Sequence, residues 1–129
     1  MFLYVTLGTN DLARAKTFYQ AVTPPLGLTL RHEDPDEIGY GVANDARTRL
    51  WITKPYDQSR SASTGNGTMI AFDAATRAAV DAFHAAGLAA GGTDEGAPGL
   101  RPYGPHFYAC YLRDPDGNKL SAVCEKPQD

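Results

Sequence analysis

Hydrophobic and polar residues alternate along several short segments of this chain and recur at helical spacing along two longer ones. Residues 2–7 alternate as a strand does, and residues 12–22 carry one apolar face at helical spacing after Asn10 or Asp11 as the cap. The first half of the chain is therefore predicted to begin with a strand and a helix. Three short strands are predicted to follow, near residues 28–32, 39–43 and 49–53.

The second half of the chain repeats this order of elements. A strand is predicted over residues 68–72 and a helix over about 76–90, in which Gly87 costs about 1 kcal/mol relative to alanine. Residues 93–105 hold three glycines and three prolines and are predicted to form a loop. Two more strands, joined by a polar turn, are predicted over residues 106–112 and 119–124.

The two halves also resemble each other residue by residue. A shift of 65 residues aligns Val5 with Ile70, and a shift of 70 residues aligns Trp51 with Ser121. Because a module this small cannot cover the apolar face of its own sheet, we expect the two copies to pack together and build one shared site. The predicted single domain spans residues 1–129, with repeats at about 1–57 and 66–125 joined by a polar linker.

Charge and composition narrow the class of protein. The formal net charge of −3 and the lack of any Lys/Arg run argue against nucleic acid or an anionic membrane surface as partner. The sequence has no apolar stretch of membrane-spanning length and no signal-peptide pattern, so we expect a cytoplasmic protein. Cys110 and Cys124 lack C-x-x-C spacing and lie in strand-like runs, which predicts buried thiols and neither a disulfide nor a zinc site.

Three features make the chain similar to the vicinal oxygen chelate superfamily over about residues 2–125. They are Val5-Thr6-Leu7 with Phe18-Tyr19, the strand Ala71-Phe72 before a helix ending at Gly91-Gly92, and the run Asp114-Pro115-Asp116-Gly117-Asn118-Lys119-Leu120. This superfamily holds glyoxalase I, extradiol dioxygenases, fosfomycin-resistance enzymes and bleomycin-binding proteins. The resemblance implies an α+β fold in which two βαβββ modules form a cup-shaped, curved mixed sheet with helices outside, and it implies a homodimer.

The resemblance also implies where a metal ion would be held. Metal-using members take their ligands from the first and last strands of each module, and the matching residues here are Tyr4, Trp51, Met69 and Ser121. None of the four is a carboxylate or an imidazole, so we expect no metal and no other cofactor. A phenol, an indole and a thioether favour an apolar or planar organic ligand over a metal chelate.

The sequence also suggests residues around such a ligand. His106 follows a Gly/Pro-rich segment and lies near Arg101 and Tyr103, so it is a weak candidate for a general base or an anion contact, although an exposed histidine at the rim would look the same. The polar run at residues 32–37 is predicted to be a solvated loop. The complete set of predicted ligand-binding residues is Tyr4, Thr6, Trp51, Met69, His106, Tyr108 and Ser121.

Three functions remain open from the sequence. The first is metal-independent binding of a small aromatic or apolar molecule, as in bleomycin sequestration. The second is a lyase, isomerase or oxygenase of unknown substrate, although glyoxalase I and extradiol dioxygenase chemistry is disfavoured by the four residues at the metal positions. The third is a degenerate module that acts through dimerisation. We favour binding, because the predicted lining is aromatic.

Overall fold

The first repeat folds into one βαβββ module. In the computed structural model, which describes residues 1–128, its strands form a four-stranded sheet in the order β1-β4-β3-β2. The β1 and β4 strands are parallel, and the other neighbours are antiparallel. A 3-10 turn, Pro24–Leu26, follows the helix. The elements are β1 (Val5–Gly8), α1 (Leu12–Val22), β2 (Leu28–Glu33), β3 (Glu37–Val42) and β4 (Leu50–Thr53).

The second repeat has the same connectivity. Its sheet has the order β5-β8-β7-β6, again with the first and last strands of the module side by side and parallel. This arrangement confirms the α+β fold of two βαβββ modules. The elements are β5 (Ile70–Asp73), α2 (Arg77–Ala89), β6 (Thr93–Leu100), β7 (Tyr108–Arg113) and β8 (Lys119–Cys124).

Both helices begin where a polar side chain caps them. The Asp11 carboxylate accepts the amide hydrogen of Arg14 at 3.0 Å, and the Thr76 hydroxyl accepts that of Ala79 at 3.0 Å. The structure thus places the N-cap of α1 at Asp11 and not at Asn10.

Within residues 1–128, neither helix is long and apolar enough to cross a membrane.

The prediction of a loop over residues 93–105 is wrong for its first part, which forms strand β6. This strand pairs only with β7, and its register shifts twice between Asp94 and Gly99. An edge strand tolerates a proline and bulges because one of its sides makes no ladder bonds. His106 lies in the turn that precedes β7, so that strand begins at Tyr108, two residues later than predicted.

The two helices contact each other, and Gly87 on α2 lies where side chains of α1 and of β7 meet. A Cβ atom at Gly87 would lie 2.6 Å from a methyl group of Leu112 and 3.5 Å from the Phe18 ring. Leu112 and Phe18 are fully buried in one continuous apolar core. The glycine that interrupts the helical pattern therefore makes room for the contact between the two modules.

The turn between β7 and β8 fastens the second module to the first. Tyr19, on α1, donates a hydrogen bond of 2.6 Å to the buried Asp114 carboxylate. Burial and this neighbouring carboxylate raise the pKa of Tyr19 well above its usual value, so the hydroxyl stays protonated and donating. The side-chain amide of Asn118 donates to the Gly8 carbonyl at 3.0 Å.

Candidate functional site

The face of the first sheet that points away from the helices carries a row of paired residues. Leu50 and Ile52 are buried against the helices, so strand alternation directs Trp51 to the opposite, open face. Trp51 pairs in register with Thr6 on β1 and with Gly39 on β3, and Gly39 pairs with His32 on β2. We call this surface, from Thr6 to His32, the first open face.

The indole of Trp51 occupies the space above a position that has no side chain. A Cβ atom built on Gly39 would lie only 2.8 Å from Cζ3 of Trp51. The ring of His32 meets the indole at an angle of 64°, with the two ring centroids 5.4 Å apart. Trp51 is half-buried, so part of its aromatic surface remains open to a ligand.

Two cavities open on this face, one near the start of β1 and the other near its end. The cavity towards the start of β1 measures about 570 Å³ and is lined by Tyr4, Trp51 and residues 45–48. The cavity towards the end of β1 measures about 520 Å³ and is lined by Thr6, Gly8, Thr53 and the polar linker. Both have the size of small-molecule sites, and an aromatic side chain borders the first.

The structure brings together only part of the predicted ligand-binding set. Tyr4, Thr6 and Trp51 share the first open face, whereas Met69 and Ser121 belong to the second module. Met69 is 40% exposed just before β5. Ser121 is fully buried on β8, and its hydroxyl has no hydrogen-bond partner within residues 1–128.

Tyr108 and His106 are not brought to the first open face. The Tyr108 hydroxyl donates to the Asp81 carboxylate on α2 at 2.6 Å, and the Arg77 guanidinium lies 5.1 Å from the centre of its ring. The hydrogen bond to Asp81 raises the pKa of Tyr108. Tyr108 therefore faces the helix, and half-buried His106 lies in the turn before it.

The prediction of a loop over residues 32–37 is only partly right, because β2 extends to Glu33 and β3 begins at Glu37, so that the run forms the tip of a hairpin. The tip gathers three side chains of types that can bind a metal ion. Potential ligand atoms of His32, Asp34 and Glu37 lie within 4.8 Å of one another. His32 Nε2 lies 2.7 Å from the Asp34 carboxylate, which also accepts the amide hydrogens of Asp36 and Glu37. These bonds lower the pKa of Asp34 and account for the arrangement as a tight turn.

The four residues that the resemblance places at the metal positions do not fit a divalent cation. The set consists of Tyr4, Trp51, Met69 and Ser121, whose groups are a phenol, an indole that lies across Gly39, a thioether and a buried hydroxyl. Divalent cations in proteins are bound by carboxylates, imidazoles and thiolates. These four side chains are therefore a poor ligand set for a catalytic metal ion.

Comparisons with known proteins agree with this fold. The chain matches the family model of the Glyoxalase/Bleomycin resistance protein/Dioxygenase superfamily over residues 2–121. A glyoxalase/bleomycin resistance protein from Albidiferax ferrireducens is 41% identical, with a TM-score of 0.85, and the match covers 98% of this chain and 99% of that one. No curated protein sequence matches the chain.

Two further solved structures share the fold at lower identity. A glyoxalase/bleomycin resistance protein/dioxygenase family enzyme from Burkholderia phytofirmans is 25% identical, with a TM-score of 0.72 and coverage of 96% of this chain and 98% of that one. The fosfomycin resistance protein FosX from Listeria monocytogenes is 17% identical, with a TM-score of 0.69 and coverage of 98% and 93%. The second of these matches supports the fold alone.

Proposed function

The chain belongs to the glyoxalase/bleomycin resistance protein/dioxygenase superfamily, and from that premise we propose that it binds a small aromatic or apolar organic molecule on the first open face without a metal ion. The observation that carries this proposal is the placement of Trp51 on Gly39, beside a cavity of about 570 Å³ that the indole and Tyr4 line. An indole with one free surface is a ready stacking partner for a planar ligand.

The side chains around Trp51 support binding over metal-assisted catalysis. Lyases of this superfamily hold their substrate oxygens on a metal ion, and the donors at the corresponding positions here do not fit one. Tyr4 adds a second aromatic surface, and Arg47 and Asp45 supply polar groups at the rim of the same cavity. An apolar lining with a few polar groups is the usual composition of a small-molecule site.

A thermal-shift screen tests both halves of the proposal. The panel consists of one-ring and two-ring aromatic compounds, each measured in EDTA and again with added Ni²⁺, Zn²⁺, Mn²⁺ or Fe²⁺. A compound that binds the native state raises the melting temperature by mass action, and we expect this increase to be the same with and without metal. Stabilisation that appears only with added metal would contradict the claim that binding needs no metal ion.

Elemental analysis of the purified protein provides an independent check. We expect less than stoichiometric Ni, Zn, Fe and Mn per chain. A single transition metal per chain that is lost when Tyr4, Trp51, Met69 or Ser121 is replaced would contradict the proposal.

For the thermal-shift screen, Tyr103→Ala serves as the control for loss of an aromatic side chain, because Tyr103 is exposed and lies far along the chain from Trp51.

A further inference from the structure

One cavity of the first open face is lined both by aromatic residues and by an arginine. This cavity, of about 570 Å³, is bordered by Tyr4, by Trp51 and by part of the connection between β3 and β4, residues 43–49. The residues that the connection contributes are Asp45, Ala46, Arg47 and Thr48. Arg47 therefore borders the same space as the two aromatic residues, and we call this space the Trp51 cavity.

Two glycines of β3 allow this connection to lie close to the sheet. A Cβ atom on Gly41 would lie 2.8 Å from the Arg47 carbonyl oxygen, and one on Gly39 would lie 2.6 Å from Cγ2 of Thr48. Because residues 39 and 41 point to the same face of the strand, their lack of side chains lets residues 47 and 48 pack beside Trp51. The backbone amide of Arg47 also donates to the Asp45 carboxylate at 3.0 Å. The backbone of Arg47 is thus held without any contribution from its side chain.

The carboxylate in the lining of the Trp51 cavity is already paired with a different arginine. Asp45 accepts a hydrogen bond from Nε of Arg49, and Nη1 of Arg49 donates to the Leu3 carbonyl at 2.8 Å. The bond from Arg49 is the main cause that lowers the pKa of Asp45. Asp45 therefore stays ionised at neutral pH, and its charge is balanced by Arg49.

Arg31 brings a second guanidinium to the open face. The register between β2 and β3 shifts between Leu30 and His32, which makes Arg31 the extra residue of a bulge. A Cβ atom on Gly41 would lie 2.7 Å from Nε of Arg31, so this glycine leaves room for the arginine side chain. The Arg31 guanidinium donates to the Val42 carbonyl, and its charge also lowers the pKa of Asp45.

The Arg47 guanidinium is left without an anionic partner. Within residues 1–128 its side chain makes neither an ion pair nor a hydrogen bond, and Asp45 is the one acidic residue in the lining of the Trp51 cavity. Arg31, Arg47 and Arg49 thus lie close to a single carboxylate, which Arg49 already neutralises. The excess of positive charge favours an anion in this cavity.

We propose that the Trp51 cavity binds an aromatic acid, whose carboxylate pairs with Arg47 while its ring lies against Trp51 and Tyr4. This inference rests on the proposed function, and it narrows the ligand from aromatic or apolar molecules in general to aromatic acids. A guanidinium presents parallel N–H donors that match the two oxygens of a carboxylate. A ligand with one negative charge is favoured over a dianion, because the Asp45 carboxylate borders the same space.

Chemical-shift titrations of ¹⁵N-labelled protein in EDTA at constant ionic strength test the inference. The probes are benzoate, its neutral counterpart benzamide, and acetate, which carries the same charge without a ring. We expect both aromatic probes to shift the Trp51 indole signal and the Thr48 amide signal, and the affinity for benzoate to exceed that for benzamide about tenfold. Acetate should bind much more weakly than benzoate, because it has no ring to stack on the indole.

Substitutions then locate the effect. Arg47→Gln should lower the affinity for benzoate about tenfold and leave that for benzamide unchanged. This variant should stay folded, because the backbone amide of residue 47 makes the bond to Asp45. Arg101→Gln is the matched control: it removes the same charge from the second module, where Arg101 lines neither cavity of the first open face, and should change neither affinity. A higher ionic strength should reduce the advantage of benzoate over benzamide.

The outcomes separate this inference from the proposed function. If benzoate and benzamide shift the Trp51 indole signal with equal affinity, the inference is wrong and the proposed function stands. If acetate binds as tightly as benzoate in an Arg47-dependent way, the anion contact stands and the proposed aromatic binding fails. A preference for benzoate that Arg47→Gln leaves intact, or the absence of any shift with either aromatic probe, would overturn the inference.

Discussion

At the scale of single residues, the lack of a side chain at Gly39 determines where the Trp51 indole lies. In Gly39→Ala, the new Cβ would meet Thr48 Cγ2 at 2.6 Å and the indole at 2.8 Å. We expect the protein to stay folded, to lose about 1 to 3 kcal/mol of stability, and to show red-shifted tryptophan emission as the indole moves into water. Gly104→Ala, with 3.7 Å to its nearest neighbour, is the matched control and should change neither emission nor stability.

The two thiols should be inert in the folded protein. Burial raises the pKa of the Cys110 thiol to about 11, and Cys124 is also buried. At pH 8 we expect no reaction of native protein with a disulfide reagent such as dithionitrobenzoate, and two reactive thiols per chain in denaturant. Rapid labelling of Cys110 without denaturant would contradict this account of its environment.

Strand parity explains which site residues the sequence could predict. Tyr4, Thr6 and Trp51 lie together because β1 and β4 are neighbouring strands. Tyr108 faces α2, whereas Tyr111, an odd number of positions later on the same strand, faces the open side. The position of Gly39 under the indole depends on the register between β3 and β4, which no local pattern specifies.

At the scale of elements, the sequence predicts features that local signals specify, such as helix starts, better than strands that depend on pairing with a distant segment. Each helix starts where a side chain caps a backbone amide three residues later, and such a local signal can be read from the sequence. Strand β6 exists only because β7 pairs with it, and its glycines and proline predict a loop when they are considered alone.

The turn between β7 and β8 is expected to determine how firmly the modules are held together. The Asp116 carboxylate accepts hydrogen bonds from the buried Thr9 hydroxyl at 2.5 Å, from the Asn10 amide at 2.8 Å and from Arg14 at 2.9 Å. Asp116→Ala should lower the free energy of unfolding by about 1 to 3 kcal/mol, because it leaves the Thr9 hydroxyl without its carboxylate partner.

Urea unfolding checks this expectation against a surface carboxylate. Asp36 lies only 3.7 Å from Lys54 in an exposed pair, and such pairs contribute about 0 to 1 kcal/mol. Asp36→Ala should therefore shift the midpoint little. An Asp116→Ala protein as stable as Asp36→Ala would show that the contacts of the turn do not stabilise the junction.

At the scale of the whole molecule, we predict a homodimer. In the described sheets β1 pairs only with β4 and β5 only with β8, so each module has an unpaired edge at its first strand. Phe2, Leu3 and Tyr4 form an exposed apolar run beside one of these edges. A second copy of the chain would cover this surface and border the cavity at Tyr4.

Sedimentation velocity tests the predicted assembly. We expect a species of twice the 13.9 kDa chain mass that dissociates on dilution, and we expect Phe2→Ser to weaken it. Tyr103→Ser removes an exposed aromatic residue elsewhere and should have no effect. A monomer at every concentration would contradict the prediction and would exclude any role of a second copy at the site.

The titration of Trp51 fluorescence in EDTA-treated protein tests the central claim most directly, since Trp51 is the one tryptophan of the chain. With the aromatic compound that stabilises the protein most, emission should change saturably at one site per chain. Trp51→Ala should stay folded and bind about 1 to 3 kcal/mol more weakly. A linear, unsaturable change in the native protein, together with unchanged ligand stabilisation of folded Trp51→Ala, would contradict the account.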